Sequence, residues 1–384
     1  MAGESLLSWL DYMALDWGLP RGRVAELVGL LHEGGNPRDL LPSGLLMFGI
    51  GADAASRVAA ATGLTAAEID GMTLSRHFGV SVGLGPAPLN VEKWTALNDP
   101  GRVAVRFDRA SITAYCSDDE WVHPGSVNIC PRCLVEDWGR WPSSWYLPWV
   151  FLCPKHRCYL VSQCPGCGSQ FEPFRLGFGK GLCGQSLRVD GQPQRGRGCD
   201  VEIDHLPVLL VEDAELLALQ RRLLALLTPD EESQADAHQI FCDLWAMAFL
   251  VLYTGSPGVL TGADRSVQKA FRKLCSAFDE PGRRRRQNTD EAQGIHDPLL
   301  FAALFRIAAK VVFADDPHGV ALALGLLQRR ATAARQARWP YPRWAVARSA
   351  AGPRLSRVMQ AVVNPREFAA DQVSRAEVGL DTAP

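Results

Sequence analysis

Cys130-Pro-Arg-Cys133 and Cys153-Pro-Lys-His156 are two pairs of metal-ligating side chains with 19 residues between them, and in each pair two residues separate the ligands. Two donors across so tight a turn can aim at one ion, and a second pair brought alongside completes the tetrahedron that structural zinc demands. Three thiolates and one imidazole suit zinc by their softness. Cys164-Pro-Gly-Cys167-Gly168 is a third such pair, in which Gly168 can take the left-handed backbone conformation that a tight turn around a metal favours. Cys183 follows after 15 residues and Cys199 after 15 more, so Cys164, Cys167, Cys183 and Cys199 form a candidate second site. Cys158 is the alternative to Cys199 as the ligand that completes it. The stretch 185–198 is long, polar and Gly-rich, and reads as a flexible loop between ligands. Two zinc ions are the expected cofactors.

Buried unliganded thiols, or a redox Cys-x2-Cys, would account for fewer of these residues, and no thioredoxin-like strand and helix frame the pairs. Catalytic zinc leaves a coordination position for water and has a carboxylate at hand. The first site already has four good ligands, and Glu136 and Asp137 beside it read as solvated or helix-capping. No phosphate-cradling glycine loop, nucleophile elbow or His-Glu-x-x-His motif occurs elsewhere, so no catalytic residue is assigned and the chain is read as a non-enzyme. The run from Trp138 to Phe151 holds Trp138, Trp141, Trp145, Tyr146 and Trp149. Such rings can pack a small metal module, face a partner protein or stack on bases. Trp138 and Trp141 are the candidate partner-binding residues.

Around these residues the chain of 384 residues is long enough for two or three packed domains. Residues 1–115 read as a helical segment resembling helix-turn-helix hairpins. Leu6, Leu10, Met13, Ala14 and Trp17 follow helical spacing, Gly18 and Pro20 interrupt it, and Val24, Leu27, Val28 and Leu31 resume it. Ala54 to Ala61 gives another helix stopped by Gly63, and Thr65 with Glu68 has the spacing of a capping box. Residues 116–203 are the double zinc-binding region. Residues 204–384 read as a helical, Arg-rich domain, with Leu209, Leu216, Leu217, Leu219, Leu223, Leu224 and Leu227 lining one helix and Leu244 to Tyr253 another. The fold class expected is therefore mostly α, with a central small zinc-ribbon-like (double zinc finger) domain between helix-turn-helix-like helical N- and C-terminal parts.

The start of the chain, with Glu4, Asp11 and Asp16, lacks a basic leader before an apolar run, and Leu244 to Tyr253 is shorter than the roughly 18 residues of a membrane span. A cytoplasmic protein without a membrane partner is expected. Eleven cysteines in that reducing compartment point to metal and not to disulfides. The formal net charge of −2 means that any nucleic-acid contact must come from a local basic patch. From Pro317 through Arg366 there are nine arginines and no Asp, Glu or Lys. With Trp339, Tyr341 and Trp344 interleaved, this stretch is a candidate surface for DNA, for an acidic partner, or a solvated basic face. Arg329, Arg330, Arg335 and Arg338 are its centre and the candidate DNA-binding residues.

Several segments together resemble the TniQ family of transposition accessory proteins. They are Glu4-Ser5-Leu6-Leu7-Ser8-Trp9-Leu10, Thr62-Gly63-Leu64, Met72-Thr73-Leu74, the Cys-Pro-x-Cys-Leu-x-Glu-Asp box from Cys130 to Asp137, and the run from Trp145 through Pro148-Trp149-Val150, Cys153, His156 and Cys158 to Leu160. The Cys164 to Gly168 box closes the series. Where relatives carry Cys-x-Cys-Gly, this chain has Gly181-Leu182-Cys183-Gly184, a departure that brings Cys199 into consideration. The resemblance spans about residues 4–185. It implies two zinc modules and a non-catalytic role: helping to select or bind double-stranded target DNA and recruiting the transposon's AAA+ ATPase and transposase, directly or through a CRISPR-type guide complex. The rival expectation is a zinc-dependent DNA-binding transcriptional regulator unconnected with transposition.

Overall fold

In the computed structural model, residues 3–31, 46–47, 49–82, 122, 126–171, 181–183, 186–189, 192–228, 230, 232–279, 297–326, 351–356 and 358 are described. Arg329, Arg330, Arg335 and Arg338, and the interleaved Trp339, Tyr341 and Trp344, lie outside these residues. The chain divides into two compact units. One comprises Met1–Gly83, Ala87–Pro229 and Asn288–Phe301, and the other Leu84–Pro86, Asp230–Gln287 and Ala302–Pro384. The architecture is mostly helical, as the hydrophobic periodicity predicts, and the strands among the described residues belong to the cysteine-rich region.

Two helical hairpins open the first unit. Helix α1 (Leu6–Trp17) begins where the Ser5 hydroxyl accepts from the Ser8 N–H and ends at Gly18, held at φ 64°. Pro20 then sets the entry to α2 (Arg21–Leu27). The buried faces are Leu6, Leu7 and Leu10 on α1 and Val24 and Ala25 on α2. Arg21 grips the Asp11 carboxylate with two hydrogen bonds. The second hairpin is α3 (Ala52–Thr62), stopped by Gly63 at φ 74°, and α4 (Ala66–Gly71). The expected capping box is complete, with the Thr65 hydroxyl accepting from the Glu68 N–H and the Glu68 carboxylate accepting from the Thr65 N–H. Its donors would otherwise be orphaned at the helix start.

Residues 3–8 then run back against the segment that follows the first Cys-x2-Cys pair. Glu4 is buried and accepts from the Arg140 guanidinium, whose Nε–H is shared between the two carboxylate oxygens at 3.0 Å and whose Nη2 lies 2.6 Å from Oε2, and from the Ser8 hydroxyl at 3.0 Å. The Ser8 hydroxyl in turn accepts from the Trp141 N–H at 2.9 Å, and the Arg140 guanidinium lies 4.8 Å over the Tyr12 ring. Backbone bonds from Ser5 N to Trp141 O and from Ser143 N to Gly3 O close the seam. The Glu-Ser-Leu-x-Ser segment therefore binds the N-terminal helices to the metal region.

The metal region is built from small pieces. They are α5 (Pro131–Glu136), a 3-10 turn over Ser143–Tyr146, the two-residue strands β1 (Leu152–Cys153) and β2 (Cys158–Tyr159), and the antiparallel hairpin of β3 (Ser186–Val189) with β4 (Gln192–Gly198). The stretch expected to be a flexible loop is thus a hairpin. Helix α6 (Ala214–Leu226) covers the region. Leu209 is not part of it, contrary to the periodicity reading. Asp213 caps α6 by accepting from the Glu215 and Leu216 N–H groups, and Leu209 stays extended, its carbonyl accepting from Tyr159 N. Gln220 of α6 is fully buried, and its amide binds the backbone three times, accepting from Phe151 N and Leu152 N and donating to Trp149 O.

In the second unit, α7 (Gln234–Thr254) is twice the length expected from Leu244 to Tyr253. Its window Gln234–Leu252 is long and apolar enough to cross a membrane by length and composition, yet 67% of it is buried within the protein, as in a core helix. Trp245 and Phe249 meet edge to face on it. Helix α8 (Arg265–Asp279) follows a 3-10 turn over Pro257–Leu260; of α9 (Pro298–Val312) the residues from Ala302 onward fall in this unit, and α10 (Pro317–Ala323) comes after. The Asp243 carboxylate of α7 accepts from the Gly352 N–H at 2.7 Å.

Candidate metal centres

Cys130 is the N-cap of α5 and Pro131 its first residue, a position where the missing N–H costs nothing. One turn on, Cys133 comes beside Cys130. The second pair sits on the β1–β2 turn, where Arg157 takes a left-handed conformation at φ 49° to bring the chain round. Together Cys130, Cys133, Cys153 and His156 place their ligand atoms within 4.8 Å of one another. The Cys133 and Cys153 sulfurs are 3.6 Å apart, and the His156 Nδ1 lies 3.4, 3.3 and 3.5 Å from Cys130, Cys133 and Cys153. A tetrahedral zinc with Zn–S near 2.3 Å and Zn–N near 2.0 Å sets these separations at roughly 3.5 to 3.8 Å. The donors fit.

Their electrostatics agree. Hydrogen bonds from Cys133, Cys153 and Cys158 hold Cys130 far below the usual thiol range, while Cys130 as their acceptor pushes Cys133, Cys153 and Cys158 up. Left to themselves, the crowded thiols favour a single thiolate, and a divalent cation is what allows the others to ionise. Cys158 is buried with its sulfur 3.7 Å from that of Cys130, but it falls outside the four-donor set. It therefore lies beside the first cluster and not at the second.

Glu136, read from sequence as solvated or capping, has a more specific place. Its Oε1 is 2.8 Å from the His156 Nε2, and its other oxygen pairs with Lys155. The Lys155 ammonium and then the His156 ring hold its carboxyl below the usual range. Ligating histidines commonly pass their second ring nitrogen to a carboxylate, which fixes the tautomer and aims the other nitrogen at the metal. No local sequence signal separates this use of Glu136 from helix capping.

The second cluster unites Cys164, Cys167, Cys183 and Cys199, all within 4.8 Å by their sulfurs. Cys164 and Cys199 are 3.7 Å apart, and Cys167 and Cys183 3.8 Å, again the edges of a zinc tetrahedron. Gly168 turns the knuckle at φ 67°, and Gly166 lies so close to Val201 that a Cβ there would meet its Cγ2 at 2.4 Å. Cys183 is paired in by its N–H to Val201 O, and Ile203 N reaches back to Gly181 O. The β3–β4 hairpin thus leaves and returns to one point, delivering Cys199. Burial pushes the Cys199 thiol up to about 11. The described cysteines form no disulfide.

The aromatic run divides. Trp141 is fully buried, with its ring 5.2 Å from that of Tyr146, and Trp145, Tyr146, Trp149 and Phe151 are buried too. Trp141 is therefore packing and not a contact surface. Trp138 is 81% exposed at φ 58°, a conformation unusual for a bulky residue, at the end of α5 beside Val135, itself 57% exposed.

Compared with known families, residues 1–160 match the model described as TniQ. The match takes in the helical hairpins, the Glu4–Arg140 seam and all of the first cluster, and stops short of Cys164. No curated protein and no solved structure matches.

Proposed function

We propose, from the match of residues 1–160 to the TniQ family of DNA transposition, that the chain is a non-catalytic adaptor that holds target DNA and recruits the transposon's AAA+ ATPase. The observation that carries this reading is the closure of both clusters. Each offers four thiolate or imidazole donors at tetrahedral separations, so each suits a zinc ion held for structure, with no coordination position left for a substrate. Zinc in both sites would fix the small elements from α5 to β4, which have too little apolar surface to hold themselves.

The exposed Trp138 and Val135 beside the first cluster are the surface offered to the ATPase, since a desolvated Trp is a frequent interface anchor. Arg329, Arg330, Arg335 and Arg338 supply contacts to DNA phosphates in this reading. The work belongs in the cytoplasm, where reduced thiols stay available to metal. The test is capture: the tagged full chain is mixed with a transposon AAA+ ATPase, ATP and duplex DNA. Recovery of ATPase and DNA is expected, with Trp138→Ala reducing ATPase recovery at unchanged zinc content. Recovery of neither overturns the adaptor reading.

A further inference from the structure

Helix α8 sorts its residues by face. Val267, Phe271 and Cys275, at every fourth position, are buried, and the Cys275 thiol reaches Gly255 O. On the other side Arg265, Lys269, Arg272 and Lys273 point away from that buried face, with exposed Ser276 among them. At about 100° and ~1.5 Å per residue, these four cations occupy roughly 100° of arc and ~12 Å of length. Among the described residues none of the four has an ion-pair partner, and Arg272 donates only to the neutral Gln268 amide, at 3.1 Å.

Such a stripe works against its own helix. Like charges at i,i+4 repel, and Arg265 is the first helical residue, where the macrodipole disfavours a cation. With a formal net charge of −2 for the whole chain, the positive field is local and not a general property of the surface.

We propose that this face of α8 binds the phosphates of double-stranded nucleic acid, which rests on the adaptor reading for its purpose but not for its chemistry. A membrane would need the apolar face of the helix, and that face is buried. A protein interface would need an aromatic or aliphatic anchor among the cations, and the stripe carries none. Phosphates of one DNA strand recur about every 3.4 Å along the axis, so ~12 Å of helix spans three or four of them. Two guanidinium forks and two ammonium groups suit phosphate oxygens and read no bases, so the binding is independent of sequence.

The test measures binding of the zinc-loaded full chain to a mixed-sequence duplex by fluorescence anisotropy between 50 and 200 mM salt. The variant Lys269→Ala/Arg272→Ala/Lys273→Ala should bind at least tenfold more weakly at the low-salt end. Its log–log salt slope should become shallower by about one unit for each phosphate that the variant no longer neutralises, equally for unrelated duplexes. The charge-keeping variant Lys269→Arg/Arg272→Lys/Lys273→Arg should keep affinity and slope, which separates charge from damage to the helix. Unchanged binding by the alanine variant overturns the proposal. If Arg329→Ala/Arg330→Ala/Arg335→Ala/Arg338→Ala alone abolishes binding, the DNA surface lies there and the adaptor reading survives. A wild-type chain that captures the ATPase but not DNA overturns the α8 surface and the DNA-holding part of the adaptor reading while leaving ATPase recruitment, whereas one that captures neither overturns both.

Discussion

Glu136 reaches the first cluster from behind, through the far nitrogen of His156. If its carboxylate fixes the ring so that Nδ1 faces the metal, Glu136→Ala should weaken zinc at that site by about 10- to 100-fold. Titration against a chromophoric chelator would show this, with the Cys164 cluster as the unaffected internal reference. Unchanged affinity at the first site would reduce Glu136 to a surface ion pair with Lys155. Another residue acts through the proton. Burial, and then Arg76 beside it, push the His77 pKa down to about 3, so the folded chain holds this ring neutral while the unfolded chain protonates it near 6.5. The stability it permits is fully present above pH 6.5 and is lost as pH falls from 6.5 towards 3, by up to about 1.4 kcal/mol per unit. Urea denaturation in excess zinc at pH 7.5 and 5.5 should show a smaller loss for His77→Gln than for wild type, and equal losses would exclude His77 as the source.

Gln220 lets α6 act as a clamp, because one amide satisfies three backbone groups of residues 149–152 just before the second ligand pair. Gln220→Leu fits the volume but leaves those groups without this partner, and a cost of about 3 kcal/mol or more follows. Chemical denaturation would measure it, and a change below about 1 kcal/mol would mean that the backbone finds other partners. That clamp was not legible in the sequence, where Gln220 is one polar position in a leucine-rich helix. What could be read was local. The x2 spacing of the ligand pairs, the Gly63 stop and the Thr65–Glu68 box each depend on a few neighbouring residues, and the structure has them where expected. Pairings between distant segments were not legible. The choice of Cys199 over Cys158 rests on residues 181–183 lying against 201–203, and β4 (Gln192–Gly198) has no alternation of apolar residues to announce a strand. The first half of α7 escaped because polar residues from Gln234 to Asp243 interrupt its apolar pattern. Helix α8, with Val267, Phe271 and Cys275 at regular spacing, carried a signal that the leucine-rich stretches overshadowed.

At the scale of the molecule, the division into two compact units predicts an uneven response to metal removal, since both clusters lie in the first. Binding free energy at a structural zinc, about 10 to 16 kcal/mol, matches or exceeds the roughly 5 to 15 kcal/mol that typically holds a domain folded. A strong chelator should therefore unfold the first unit and leave the helices of the second protected, as hydrogen exchange read by mass spectrometry would show. Cys133→Ser should mimic this in part. Uniform loss of protection would mean that the two units fold as one, and none would mean that the clusters do not carry the fold. The hairpin between Cys183 and Cys199 bears on how such a molecule could be followed at work. Because β3 and β4 depart from the second cluster and come back to it side by side, the span between Val189 and Gln192 holds none of its four ligands. A reporter peptide or dye-labelling sequence spliced there would ride on the protein as cargo, leaving both chain termini unaltered and the metal cradle undisturbed.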